Sequence, residues 1–203
     1  MNWPRKRGCI LWSTAVALAL LLAAAAGFLL FTGPRNLAQY PPAGESPYLL
    51  PWPAGTTYWC VQSNRGIVSH RGRGEFACDF YMPVGSDVCA SRAGTVVRVV
   101  DHHDGHGYHW PNNRVVIRHE DGTHAHYVHG KQNGSYVREG QTVVRGQPIC
   151  ASGHVGNSMM PHLHFQVTAP DSGRTIPVTF ADVSRHRGVP RMFRRYTSGN
   201  NVP

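Results

Sequence analysis

From Thr57 to Val167 the chain is a succession of short segments, β-branched or alternating in character, each closed within a few residues by Gly, Asn or Asp. Thr-Tyr-Trp-Cys-Val-Gln at 57–62, Phe-Ala-Cys-Asp-Phe-Tyr-Met at 76–82 and Asp-Val-Cys-Ala at 87–90 open the series. Gly-Thr-Val-Val-Arg-Val-Val at 94–100, Arg-Val-Val-Ile-Arg-His at 114–119 and His-Ala-His-Tyr-Val-His at 124–129 continue it, and Gln-Thr-Val-Val at 141–144, Gln-Pro-Ile-Cys-Ala at 147–151 and His-Leu-His-Phe-Gln-Val at 162–167 end it. No long helical pattern intervenes. Many short strands joined by frequent turns predict a mainly β fold, a small antiparallel sandwich or barrel-like domain.

The remaining segments set the domain plan. Arg5, Lys6 and Arg7 precede an uncharged run from Cys9 to Phe31. As a helix that run is about 35 Å long at ~1.5 Å per residue, enough for a hydrocarbon core of about 30 Å. A cleaved signal peptide is the alternative, but apolar residues continue beyond the alanines at 23–26, past the usual signal-peptide core of about 7–15 residues. The expected plan is therefore a cytoplasmic N-terminus at 1–8, a transmembrane signal anchor at 9–31, a Pro-rich stalk at 32–52, the β domain at 53–182 and a basic tail at 183–203. The positive flank stays inside, which exports everything beyond the anchor. A single-pass protein of the cytoplasmic membrane is expected, with its domain on the periplasmic or extracellular side.

Export sets how the cysteines read. Cys60, Cys78, Cys89 and Cys150 are an even set without a CxxC pair, so disulfides are expected before a thiolate metal site, as Cys60–Cys78 and Cys89–Cys150. Free buried thiols are the alternative. The formal charge of +9 suits an anionic matrix, a bacterial wall or acidic headgroups, and no base-reading motif points to nucleic acid.

Among 13 histidines, two carry most information. A strand through Pro-His-Leu-His-Phe turns His162 and His164 to one face and Leu163 to the core. A catalytic zinc takes three N/O ligands and leaves one position open for water. His70, Asp79 and one of this pair supply such a set; His129 and the other histidine are then the available bases. No Gly-x-Ser-x-Gly nucleophile motif occurs. The stretch 101–113 holds His102, His103, His106 and His109 among turn residues and reads as a loop. A second metal site there would make the chain a metal-storage or sensing protein.

In order along the chain stand Ser-His-Arg at 69–71, Cys-Asp-Phe-Tyr-Met-Pro-Val-Gly at 78–85, Val-Cys-Ala-Ser-Arg-Ala-Gly-Thr-Val-Val at 88–97 and Asn-Arg-Val-Val-Ile-Arg-His-Glu-Asp-Gly at 113–122. Tyr-Val-His-Gly at 127–130, Val-Arg-Glu-Gly-Gln-Thr-Val at 137–143, Gly-Gln-Pro-Ile at 146–149, Gly-His-Val-Gly at 153–156 and Pro-His-Leu-His-Phe at 161–165 follow. This ordered series resembles the lysostaphin/LytM-type zinc metallopeptidases, peptidase family M23. The resemblance implies one zinc ion held by His70, Asp79 and His164, with His129 and His162 as the catalytic pair. It also implies an open groove on a small antiparallel β-domain and hydrolysis of peptide crosslinks in peptidoglycan, by a chain expected to be monomeric. Some relatives have lost ligands and regulate wall amidases instead; here all five positions hold the expected residue type. One departure stands out. The commonest pattern places three residues between the first histidine and the aspartate, whereas eight separate His70 from Asp79, and the tight spacing falls on Glu75.

Overall fold

The computed structural model describes residues 7–31 and 36–201, with side chains in the N-terminal helix from 14 to 27. That helix, α1, runs Arg7–Phe31, as its Ala and Leu content favours. Its described side chains before Gly27 are exposed. Among the described residues no helix is long and apolar enough to cross a membrane. The flanks of the anchor expected at 9–31 have no described side chains, and residues 1–6 of the expected cytoplasmic N-terminus lie outside the described residues.

Eleven strands follow: β1 (Thr57–Gln62), β2 (Cys78–Tyr81), β3 (Asp87–Cys89), β4 (Gly94–Val100), β5 (Arg114–Arg118), β6 (His124–Val128), β7 (Gly130–Ser135), β8 (Thr142–Val143), β9 (Pro148–Ser152), β10 (His162–Thr168) and β11 (Arg194–Thr197). They form an eight-stranded sheet in the order β11-β1-β2-β10-β6-β5-β4-β8 and a three-stranded sheet in the order β3-β9-β7. Every pairing between these strands is antiparallel, as the run of short strands and tight turns predicts. Phe80, Leu163, Phe165, Val167, Tyr127 and Ile117 of the large sheet pack with Val88 and Ile149 of the small one in a single core. Along β10 the odd positions 163, 165 and 167 enter that core while His164 and Gln166 stay half-buried on the opposite face.

Three expectations are corrected. The stretch at 32–52 is not a spacer along its whole length: Tyr48, Leu50 and Trp52 are core residues. Ser46 Oγ donates to the Thr179 carbonyl, and Leu49 N–H donates to the Ser91 carbonyl at 3.0 Å. The prolines prevent regular pairing, but the large apolar side chains between them still gain from burial. The basic tail is likewise built in, since its residues 194–197 pair with β1 as an edge strand and Val183, Val189 and Tyr196 are buried. Finally, Cys60, Cys78, Cys89 and Cys150 are buried free thiols, so neither expected disulfide is formed. Across the ladders Cys60 stands opposite Phe80, and Cys89 stands opposite Pro148 while Cys150 faces Val88, so neither expected pair is directly cross-strand. Burial raises all four thiols, Cys89 and Cys150 to about 12.

Candidate metal centre

Register assembles the site. Gln62 of β1 lies opposite Asp79 of β2, and Asp79 lies opposite His164 of β10. Beyond His164 comes Val128 of β6, the residue before His129. Residues opposite each other share a face, so Gln62, Asp79 and His164 form a row across three strands, with His162 two positions further along β10. The neighbouring pair, Phe80 and Leu163, faces the core. A one-residue slip would exchange the two sets, and burial of Phe80 and Leu163 prevents it.

His70 enters from the connection between β1 and β2 and is almost completely buried. Its Nδ1–H donates to the Ser63 carbonyl at 2.9 Å, which leaves an Nε2 lone pair 3.1 Å from Asp79 Oδ2. That buried Nε2 has no hydrogen-bond partner. His164 repeats the arrangement with its nitrogens exchanged: Nε2–H donates to Gln166 Oε1 at 3.0 Å, and Nδ1 points at Asp79 Oδ1 from 2.8 Å. With their outer nitrogens turned to oxygen acceptors, both imidazoles aim their inner nitrogens at one carboxylate, and in the neutral rings those inner nitrogens are acceptors. Acceptors facing acceptors at this distance are reconciled by a cation between them, and the outer hydrogen bonds are those that orient metal-binding imidazoles. His70, Asp79 and His164 each offer a ligand atom, all within 4.8 Å of one another, and they are the only such set of three among the described residues. The donor set, two imidazoles and a carboxylate, suits zinc. The charge pattern agrees. Burial alone would raise Asp79, but His164 and His70 hold its carboxyl well below the usual range. Burial alone would lower His164, but the Asp79 carboxylate raises it.

His129 and His162 complete one wall. Their ring centroids are 4.5 Å apart, and that of His129 is 6.0 Å from that of His164. His129 Nδ1–H donates to the Val155 carbonyl at 2.8 Å, and His162 Nδ1–H to the Met160 carbonyl at 2.8 Å. The second ring nitrogen of His162 lies 3.8 Å from Asp79 Oδ1. Burial, then the charges of His162 and His164, push His129 down to about 3; burial also lowers His162. Both rings are neutral at neutral pH. His129 sits in the left-handed region at φ 70°, which costs a residue with a Cβ about 1–2 kcal/mol. The turn is locked by its N–H on the Asn113 carbonyl and by Gly153, where a Cβ would approach the His129 carbonyl oxygen to 2.7 Å.

All five residues expected at the site are therefore neighbours. Glu75 is not among them; its carboxylate pairs with Arg65 at 3.5 Å. Among the described residues the loop histidines gather no set of three ligands: His102 lies tilted against His103, and His106 stacks on His154 at 3.7 Å between centroids. Sequence reasoning missed Gln62. Its Nε2 donates to Asp79 Oδ2 at 2.8 Å and to Ser69 Oγ at 2.9 Å, while its Oε1 accepts from Val68 N–H and Ser69 N–H. It ties the aspartate to the loop that carries His70. The available signal was its place at the end of a strand beside Asp79. Gln166, two residues beyond His164, was missed as well.

The family model for peptidase family M23 matches residues 73–176, and the chain belongs to that family. The matched stretch contains Asp79, His129, His162 and His164 and begins after His70. The peptidoglycan DD-endopeptidase ShyA of Vibrio cholerae is 34% identical over 143 residues, 66% of this chain and 30% of the relative. Lysostaphin of Staphylococcus staphylolyticus is 37% identical over 93 residues, 45% of this chain and 18% of the relative. The chain thus spans less than a third of the length of these relatives. Among solved structures, the catalytic domain of lysostaphin from Staphylococcus simulans aligns with a TM-score of 0.44 and 25% identity over 60% of this chain and 87% of that one.

Proposed function

We propose that the chain is a zinc-dependent endopeptidase that hydrolyses peptide crosslinks of bacterial peptidoglycan, with His70, Asp79 and His164 holding one ion and His129 and His162 acting on the water and the oxyanion. The observation that carries this reading is the pair of imidazole nitrogens converging on the buried Asp79 carboxylate. Zinc held there would supply a Lewis acid for the scissile carbonyl and would lower the pKa of water to about 7. The remaining work falls to the chain. His129, neutral and tethered through Nδ1, presents its other nitrogen to accept the proton from water. Its positive charge is then favoured by Asp79, and the proton is returned to the departing amine. His162, tethered in the same way, presents a second bare nitrogen that orients the attacking water and, once protonated, donates to the developing oxyanion.

Peptidoglycan is the substrate named for the relative ShyA, and the basic surface suits an anionic wall. We read 9–31 as an uncleaved anchor that holds the domain, as a monomer, on the periplasmic or extracellular side of the cytoplasmic membrane. The test is incubation of the full chain with purified crosslinked muropeptides, with and without a chelator, followed by mass identification of new ends. Chelator-sensitive release of an amine and a carboxylate supports hydrolysis and names the bond. Zinc binding without any cleavage would make the chain a silent module that regulates wall amidases.

A further inference from the structure

A second concave site lies at the β11 edge of the large sheet, built from residues that the family match at 73–176 does not include. It is a cleft of about 240 Å³ whose lining includes Trp59, Phe193 and Tyr196 with Arg185, Arg194 and Arg195. Trp59 and Arg195 are direct cross-strand partners, and the guanidinium sits 5.8 Å from the indole centroid. Trp59 and Phe193 are about half exposed, at 47% and 53%.

Charge in this region is one-sided. Residues 183–203 contain Arg185, Arg187, Arg191, Arg194 and Arg195 and no Asp or Glu. Among the described residues no ion pair involves any of these arginines. Arg185, Arg194 and Arg195 line this one cleft, and guanidiniums without a counter-charge gain most from a multivalent oxyanion, which their planar forks engage in pairs. The neighbouring His186 is lowered by burial and by Arg191, Arg194 and Arg185, consistent with a positive local potential.

The backbone is also forced into shape. His186, Arg187 and Phe193 have φ of 53°, 55° and 60°, three left-handed residues that each carry a Cβ. Such conformations persist where surrounding structure imposes them, and they cluster at ligand clamps. Here buried Val189 and the Phe193 N–H on the Cys60 carbonyl at 2.8 Å hold the segment.

We propose that this cleft binds a phosphate ester, its phosphate held by Arg185, Arg194 and Arg195 and its carbon portion packed on Trp59 and Phe193. The ester can be soluble or a phospholipid headgroup, and the test separates the two. The full chain in uncharged detergent is titrated calorimetrically with glycerol 3-phosphate, with acetate as a monovalent control, and then with micelles containing phosphatidylglycerol or phosphatidylcholine. Saturable one-site binding of glycerol 3-phosphate, weakened at least tenfold in Arg194→Glu/Arg195→Glu, is the expected result for a soluble ester. Binding only to phosphatidylglycerol micelles, with the same loss in the variant, assigns the headgroup. Because wild type and variant both retain α1, the difference between them isolates the cleft. Arg185→Glu, from a separate segment, repeats the test if the double variant fails to fold by circular dichroism. No binding, equal binding of acetate, or binding unchanged in these variants overturns the proposal.

Discussion

Gln62→Ala is the most informative single perturbation, because Gln62 touches the candidate metal centre without belonging to it. The truncation removes a hydrogen bond to the Asp79 carboxylate at 2.8 Å and another to Ser69 Oγ at 2.9 Å. It also removes the acceptor for two backbone N–H groups at 3.2 and 3.4 Å. A hydrogen bond to a charged group contributes about 1.5–3 kcal/mol and a neutral one about 0.5–1.5 kcal/mol. The four bonds form one network and do not add, so about 3 kcal/mol of folding stability is the expected loss. The effect on the metal is separate. With Asp79 freed and the His70 loop released, zinc affinity falls by about 10–100-fold, the range for loss of an outer partner at a metal site. Competition against a chromophoric chelator measures the affinity, and urea denaturation of the metal-free chain measures the stability. Zinc affinity within twofold of wild type, in a variant that has lost stability, would refute a link from Gln62 to the metal through Asp79.

Trp52→Ala is expected to cost about 3–5 kcal/mol in denaturant titration, as for a large buried aromatic; a residue in a true spacer would cost almost nothing. His129→Ala is expected to keep one zinc per chain by elemental analysis while turnover on muropeptides falls by about 10²–10⁴, the usual contribution of a positioned acid–base group. Stability of the metal-free chain is expected to fall on acidification. His129 and His126 drop from 6.5 to about 3 and about 4 when folded, so between those values the unfolded chain binds protons that the folded chain does not. Their contribution is complete above pH 6.5 and is lost progressively below it, by about 1.4 kcal/mol per pH unit for each group between pH 6.5 and 4. Urea titrations from pH 7 to pH 4.5 check this, and His129→Gln should make the slope shallower by about one proton.

The strands that form the core were legible because they carry β-branched and aromatic runs. Two strands were not. β7 reads Gly-Lys-Gln-Asn-Gly-Ser, without a strand pattern, and forms because its backbone pairs with β9. β11 is arginine-rich, and its place at the edge of β1 depends on a contact across the whole length of the domain. The stalk reading failed for a similar reason: proline content describes local backbone, whereas burial of Leu50 and Trp52 depends on which distant residues are available to cover them. At the site, His162 and His164 were legible because strand periodicity places them on one face. Asp79 and His70 were named in the sequence as a donor set and through the ordered resemblance rather than by strand periodicity, and the register that sets Asp79 opposite His164 supplies its physical reason. His70 is the extreme case, since it lies on an irregular connection outside the matched family stretch, and its Nδ1 hydrogen bond to Ser63 cannot be read from any spacing. The hydrogen bonds of Gln62 and Gln166, which orient the ligand set, depend on side-chain direction, and a linear sequence does not contain it.

X-ray absorption at the zinc edge of the metal-loaded full chain tests the assigned ligand set most directly. Coordination by His70, Asp79 and His164 predicts a first shell of nitrogen and oxygen at about 2.0–2.2 Å, outer-shell scattering from two imidazoles, and an open position filled by solvent. A sulfur shell at about 2.3 Å would place the metal on the buried cysteines instead and contradict the assignment.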